Sequence, residues 1–501
     1  MQIRNRFFLE KLLLAWAVAG ILLALVTSTM YLLWPGFGEQ GEVNFASVAW
    51  LVSNGQPLYT DMDAAARYSL QHGPIVYLLI GGIMQLLGPS YVTAKLSGVV
   101  MFWLILLLSF ILLKKVADWR KALIFTGLQT WLLFHWHNSC YIRPDAMLVV
   151  CMLVSLYAIT SIKNKTLMLV ICAAAFGFII NLKVHGVIYL LPLLIVLQNR
   201  LTWKRLITLV LMTMVVIALP FLLPQISFSN YILWIQTSVH MAANDPGSTL
   251  RNFIPKIVAI LVLGLIPYCL AVLRSISIRK FYLHNKKVLV ALLFGVLAAA
   301  AIGSKPGSGT NHLMPLIPLY CYLLMRLSQE KPVANVVAST TLAWKRRMSG
   351  LVLGVLFLLV TLGGAHKELT LLKMAAIDNR APIQQELAEI EKSYVGKTIE
   401  VGYGEKGNRI TTDCIPALVF HGHPLLLEKV AFGDMLAVKI PLPTATIQAL
   451  REGYVQVWLI PTGQEPFAWM QGGEFPQAFL ENYRYERKTA NFDVWVYKGK
   501  S

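Results

Sequence analysis

Two acids three residues apart, Glu39 and Glu42, stand in the stretch GFGEQGEVNF. A second charged group is Arg143 and Asp145, which flank Pro144 directly before the apolar run AMLVVCMLVSLY. Lys183 and His185 (in NLKVHG) and Lys305, Asn311 and His312 (in GSKPGSGTNHLMP) repeat the pattern, with polar residues at the ends of apolar segments. Charges beside a lipid-length apolar run are costly unless they meet water or a polar cavity, which makes them functional candidates. The acids Glu39, Glu42 and Asp145 suit a general base acting on a hydroxyl. The cations Arg143, Lys183 and Lys305 suit a phosphate that is held and stabilised as it leaves. Each residue also has a plain reading taken singly. Arg143 and Asp145 read as a snorkelling pair at a helix end, Lys183 as an anchor, His185 and His312 as interface histidines, and the two glutamates as solvated loop residues.

The elements that must position these residues are apolar. Of the 501 residues, 56% are hydrophobic and 14% charged, where soluble domains carry about 25% charged residues. This is the composition of an integral membrane protein. The net charge of +19 falls mostly in short loops between apolar runs, which argues for membrane topology and against a nucleic-acid partner. None of the six cysteines forms a CxxC pair, and most lie inside apolar runs, so neither a disulfide framework nor a zinc site is expected. The first run, Leu12 to Trp34, is too long for a signal-peptide core and is expected to stay as a transmembrane helix.

About 20 apolar residues cross a bilayer. On that scale eleven spans are expected, near 12–34, 96–113, 122–137, 146–162, 166–182, 184–199, 206–223, 254–273, 288–302, 311–325 and 349–365. Gly73 to Gly88 is short and is expected as a helix lying at the interface. Eleven spans put the termini on opposite sides. With the N-terminus in the cytoplasm, 22 of the 44 Lys and Arg residues lie in cytoplasmic segments, 7 on the other side, and 15 after residue 365. This bias sets Met1 inside and Ser501 outside. The first outer loop (35–95), Arg143–Asp145, Lys183–His185 and Lys305–His312 then share the outer face. That convergence weighs against the plain readings together, and it predicts one outer pocket holding Glu42, Asp145 and Lys183. Beyond residue 365 the pattern changes. TIEVGYG and VQVWLIP have strand character and APIQQELAEIEKSY the spacing of an amphipathic helix. The expected organisation is a membrane module, 1–365, and a small periplasmic α/β domain, 366–501.

These residues carry a family resemblance. GEQGEVNFASVAWLVSNGQPLYTDMD followed by HGPIVYLLIGGIMQLLG resembles the first outer loop of the GT-C superfamily of membrane glycosyltransferases, and YIRPDAMLVVCMLVSLY resembles its R-P-D/E at the outer start of the fourth helix. LKVHGVIYLLP and GSKPGSGTNHLMPLIPLY resemble later segments, so the match spans residues 1–325. The superfamily includes protein O-mannosyltransferases, the aminoarabinose transferases that modify lipid A, and bacterial dolichyl-phosphate-mannose-type transferases. The resemblance implies a polytopic α-helical membrane protein of GT-C type in the inner (plasma) membrane. It implies transfer of a sugar from a polyprenyl-phosphate donor to a glycan, lipid or protein acceptor on the outer face. Many members carry an Asp-Glu pair in the first loop; here Glu39 and Glu42 stand without an adjacent Asp. Glu42, nearer the following helix, is the first choice of base and Glu39 the second. Asp145 is the second acid. Arg143, Lys183, His185, Lys305 and His312 are candidates for the donor phosphate. No metal ligands are assigned, and the resemblance leaves a divalent metal open, since some members use one. The competing class is a transporter or flippase for lipid-linked sugars, which would favour inverted repeats; none is visible.

Overall fold

Helices apolar on every side are stable only where other helices or lipid cover them. The computed structural model describes residues 2–68, 72–136, 140–241, 246–274, 276, 278–304, 310–330, 340–377, 380–404, 413–437, 439–470 and 473–499. In chain order its helices up to residue 393 are α1 (Gln2–Leu33), α2 (Gln40–Ser53), α3 (Pro74–Leu87), α4 (Tyr91–Lys114), α5 (Trp119–Trp136), α6 (Pro144–Ser161), α7 (Lys165–Leu182), α8 (Val187–Leu197), α9 (Trp203–Ala218), α10 (Phe228–Met241), α11 (Pro246–Leu273), α12 (Ile278–Gly303), α13 (Ile317–Gln329), α14 (Thr340–Ile377) and α15 (Ala381–Ser393), and four shorter helices follow among the described residues.

Seven segments among the described residues are helical, long and apolar enough to cross a membrane: Phe8–Leu33, Tyr91–Lys114, Pro144–Ser161, Lys165–Leu182, Trp203–Leu222, Asn285–Gly303 and Ala343–Ile377. Each coincides with an expected span. The expected spans 184–199 and 254–273 fall on shorter apolar helices, Val184–Leu197 and Ile257–Leu273. The expected span 122–137 falls on α5, whose first turn carries Arg120 and Lys121. The expected span 311–325 is divided between a 3-10 turn, Thr310–Leu316, and α13. Pro315 and Pro318 lack the N–H groups that a single α-helix would need there. Leu211, Val215, Leu358 and Leu362 are exposed on their helices, as side chains facing lipid tails are. The chain is a multi-pass membrane protein.

Five helix ends converge at one end of the bundle. There Lys95, in the first turns of α4, is fully buried and its Nζ donates to Tyr31 O (2.9 Å) and Trp34 O. These carbonyls belong to the last turn of α1, where the helix leaves acceptors unsatisfied and its dipole is negative. The ammonium also sits 4.8 Å from the Tyr31 ring and 5.5 Å from that of Phe37. One lysine therefore joins two helix ends where the first loop leaves the bundle.

The expected helix 381–394 and both expected strands are present. A four-stranded sheet has the order β1-β2-β4-β3, with β1 (Ile399–Val401) parallel to β2 (Val457–Pro461), and β3 (Tyr483–Lys488) and β4 (Phe492–Tyr497) antiparallel. α14 runs unbroken through residue 366, where sequence analysis divides the chain. The residues beyond it clasp the first loop at several points. Gln384 Nε2 donates to Pro35 O (2.7 Å), Thr446 Oγ1 to Ala65 O (2.7 Å), Arg67 N to Leu426 O (3.3 Å) and Tyr91 OH to Asp413 O (3.1 Å). The buried Arg380–Asp413 pair sits with the guanidinium 5.0 Å from the Trp34 ring. One continuous apolar core runs from Phe37, Val48 and Tyr77 of the loop into Leu426, Phe432 and Trp458, so the C-terminal layer and the loop are packed as one unit.

Candidate active site

Glu39 is the N-cap of α2, and Glu42 lies in the first turn, where acids favour the helix dipole. Their surroundings are opposite. Glu42 is fully buried. Its Oε2 accepts from the N–H groups of Gly38 (2.7 Å) and Glu39 (3.2 Å), and its Oε1 from Ile142 N–H (3.0 Å) and the Tyr31 hydroxyl. Burial, reinforced by the charge of Glu39, pushes Glu42 up to about 7, against the Tyr31 hydroxyl, the Ile142 N–H and Lys95. Glu39 instead points its Oε1 at Arg143 Nε, 2.7 Å away, with 27% and 28% of the two side chains exposed. Gly38 allows this arrangement because any side chain there would overlap the Tyr141 ring.

Arg143 is the N-cap of α6, and Pro144 with its fixed φ starts the helix. Asp145 follows in the first turn and is buried. Its Oδ1 accepts from Lys183 Nζ (2.7 Å) and Asn311 Nδ2 (3.2 Å). Lys183 is the C-cap of α7, where a cation meets the negative helix end. The proline that opens α6 and the end of α7 thus set an acid and a base face to face in a buried pair.

His185 belongs to the 3-10 turn Val184–Gly186 that follows Lys183, and its ring centroid is 4.7 Å from that of His312. Tyr189 OH donates to His312 O (2.8 Å) and holds the second turn in place. Lys305 lies outside the described residues. Of the sequence-predicted residues, Glu39, Arg143, Asp145, Lys183, His185 and His312 come together. Glu42 backs onto the group from the inner side. Among the described residues, no three or more His, Cys, Asp or Glu are grouped to hold a metal ion.

Sequence reasoning passed over His72. Gly73 N–H donates to Leu182 O (3.2 Å), and a side chain at Gly73 would overlap the Asn181 carbonyl. This contact brings His72 beside Lys183, with its ring stacked on Phe45 at 4.9 Å. Burial, helped by Lys183, pushes His72 well below its ordinary pKa against Asp145, with Arg143 and His185 adding to the shift. The sequence signal was its place directly before a Gly-Pro helix start in an outer loop. Tyr31 was hidden inside the first apolar run.

The fold and site define a polytopic membrane protein with a charged site at one end of its bundle, under a C-terminal layer. No protein-family model and no curated protein matches the chain. Solved structures do. The chain is similar to ArnT from Cupriavidus metallidurans bound to undecaprenyl phosphate, with TM-score 0.61 and 15% identity over 96% of this chain and 98% of that one. The apo state of ArnT gives TM-score 0.61 and 14% identity over 96% and 97%. The apo oligosaccharyltransferase of Archaeoglobus fulgidus is a more distant likeness, with TM-score 0.48 and 12% identity over 96% of this chain and 74% of that one. The chain shares the fold of ArnT over nearly its whole length.

Proposed function

We propose that the protein is a glycosyltransferase that moves a sugar from a polyprenyl-phosphate donor to an acceptor hydroxyl on the outer face of the inner membrane. The observation that carries this reading is the open Glu39–Arg143 pair beside the buried Asp145–Lys183 pair. It offers an acid whose side chain is 27% exposed, together with cations suited to phosphate. The fold supports the donor class, since ArnT has that fold and was crystallised with undecaprenyl phosphate.

Glu39 is the base in this reading, which reverses the order of preference drawn from sequence. An ionised carboxylate has about four acceptor sites, and Glu42 already accepts four hydrogen bonds. Glu39 accepts the acceptor's hydroxyl proton while that oxygen bonds to the anomeric carbon. The carbon–oxygen bond to phosphate breaks, and its electron pair leaves with the phosphate. Attack opposite the leaving group inverts the anomeric carbon. Arg143 and Lys183 stabilise the charge that grows on phosphate, with His185, His312 and Lys305 as further contacts. Asp145 keeps Lys183 charged and aimed. The same reading includes the eleven-span topology, a cytoplasmic Met1, and residues 366–501 as a periplasmic α/β domain. Purified protein incubated with a panel of labelled polyprenyl-phosphate sugars and cell-envelope acceptors is expected to release polyprenyl phosphate and label an acceptor. Absence of transfer across the panel, with intact folded protein, counts against the reading.

A further inference from the structure

Glu42 joins two separate pieces of chain. On one side its Oε2 takes the N–H groups of Gly38 and Glu39. On the other its Oε1 takes the N–H of Ile142, the residue before Arg143. The two residues whose side chains meet at 2.7 Å, Glu39 and Arg143, are thus each tied through backbone to one carboxylate. The Tyr31 hydroxyl donates to that carboxylate from α1. Tyr31 is itself fixed, because Lys95 binds its carbonyl and lies over its ring. The titratable and charged groups around Glu42 are Tyr31, Glu39, Lys95, Cys140 and Tyr141, while Arg143 faces Glu39. Glu42 receives backbone N–H groups from both the loop that carries Glu39 and the turn that carries Arg143.

We infer that Glu42 is a positioning residue: it clamps the loop before α2 to the turn before α6 and so sets the distance and angle at which Glu39 and Arg143 meet. The inference rests on Glu39 as base and adds the device that holds it ready. A carboxylate suits the task because both oxygens accept in-plane hydrogen bonds and neither needs to donate. Glutamine at the same place keeps the volume but turns an NH2 group towards N–H or O–H donors in either orientation, leaving buried donors unpaired.

The test compares Glu42→Gln, Tyr31→Phe and Glu39→Gln in the purified full-length protein. It uses whichever polyprenyl-phosphate sugar of the panel supports turnover, with amide hydrogen exchange as a readout that needs no substrate. In Glu42→Gln, exchange is expected to speed up at Gly38, Glu39 and Ile142, and turnover to fall about 10-fold to 100-fold. In this variant the loosened cation partner raises the acid limb of the pH–rate profile while the lost like charge of Glu42 lowers it, so the limb is read in a variant that keeps the Glu42 charge. A loss of folded protein alone lowers the amplitude and leaves the limb in place. Tyr31→Phe removes one of the four donors that hold the Glu42 carboxylate, which loosens the clamp and keeps the Glu42 charge. It should raise the acid limb by up to about one pH unit, because an acid with a loosened cation partner holds its proton to higher pH, and it serves where Glu42→Gln does not fold. Unchanged exchange in the folded variants, or an unmoved limb in folded Tyr31→Phe, overturns the clamp and leaves Glu39 as base. An inactive Glu42→Gln beside a fully active Glu39→Gln overturns both, because Glu42 is then the base itself.

Discussion

The two ion pairs of the site meet different media. Glu39 and Arg143 keep 27% and 28% of their side chains exposed, whereas Asp145 and Lys183 keep 5% and 4%, at the same 2.7 Å separation. Equal geometry therefore does not mean equal energy. A solvent-exposed pair contributes about 0–1 kcal/mol, and the Glu39–Arg143 pair lies towards that limit by side-chain exposure, although the Glu39 Oε1 that faces Arg143 is itself buried. A pair sealed from water is different. Losing one partner strands the other and costs about 3–5 kcal/mol, although the intact pair need not be better than an apolar replacement. The partly exposed pair can therefore separate at lower cost than the closed one.

Three tests break or sharpen this contrast. The largest effect is expected in Glu39→Gln, where turnover falls about 10²–10⁴-fold, the usual contribution of a positioned base, while thermal stability in detergent holds. Wild-type turnover in that variant would remove Glu39 from the mechanism. Next comes the closed pair. Lys183→Met should lower unfolding free energy by about 3–5 kcal/mol, and Asp145→Asn combined with Lys183→Met should recover most of that loss, since no buried charge is left unpaired. A double variant no more stable than Lys183→Met alone would show that the pair is not a sealed unit. The smallest effect belongs to Arg451 and Glu474, joined at 2.9 Å with 46% and 61% of their side chains exposed. Arg451→Met should change stability by less than about 0.5 kcal/mol, giving the scale against which the other two are read.

Much of the site was legible from charge placement alone. Arg143, Asp145 and Lys183 stand out because an ionisable residue beside an apolar run needs a reason to be there. Lys95 was counted only as an outer-side charge, yet it is buried across the end of α1. No local pattern separates a lysine facing water from one facing two helix carbonyls. Glu39 and Glu42 show the same limit. Sequence favoured Glu42 for its closeness to the helix, but its partners Tyr31 and Ile142 lie 11 and 100 residues away. His72 escaped notice because its neighbourhood depends on Gly73 meeting Leu182. In the tail, the apolar strand VWLIP at 457–461 was visible. The edge strand YRYERK at 483–488 was not, since five of its six residues are exposed and carry no apolar alternation.

By itself, the sequence determined that this chain crosses a membrane many times and that its unusual charges gather at segment ends. Both follow from local physics, because the cost of placing each residue in lipid or at its edge depends on that residue and its near neighbours. Which acid is reachable and which is sealed was decided only by the tertiary structure. Burial and hydrogen-bond donors come from elements distant in sequence, here α1, the turn before α6 and the end of α7. The chemistry of a carboxylate depends on how many of its acceptor sites those elements fill.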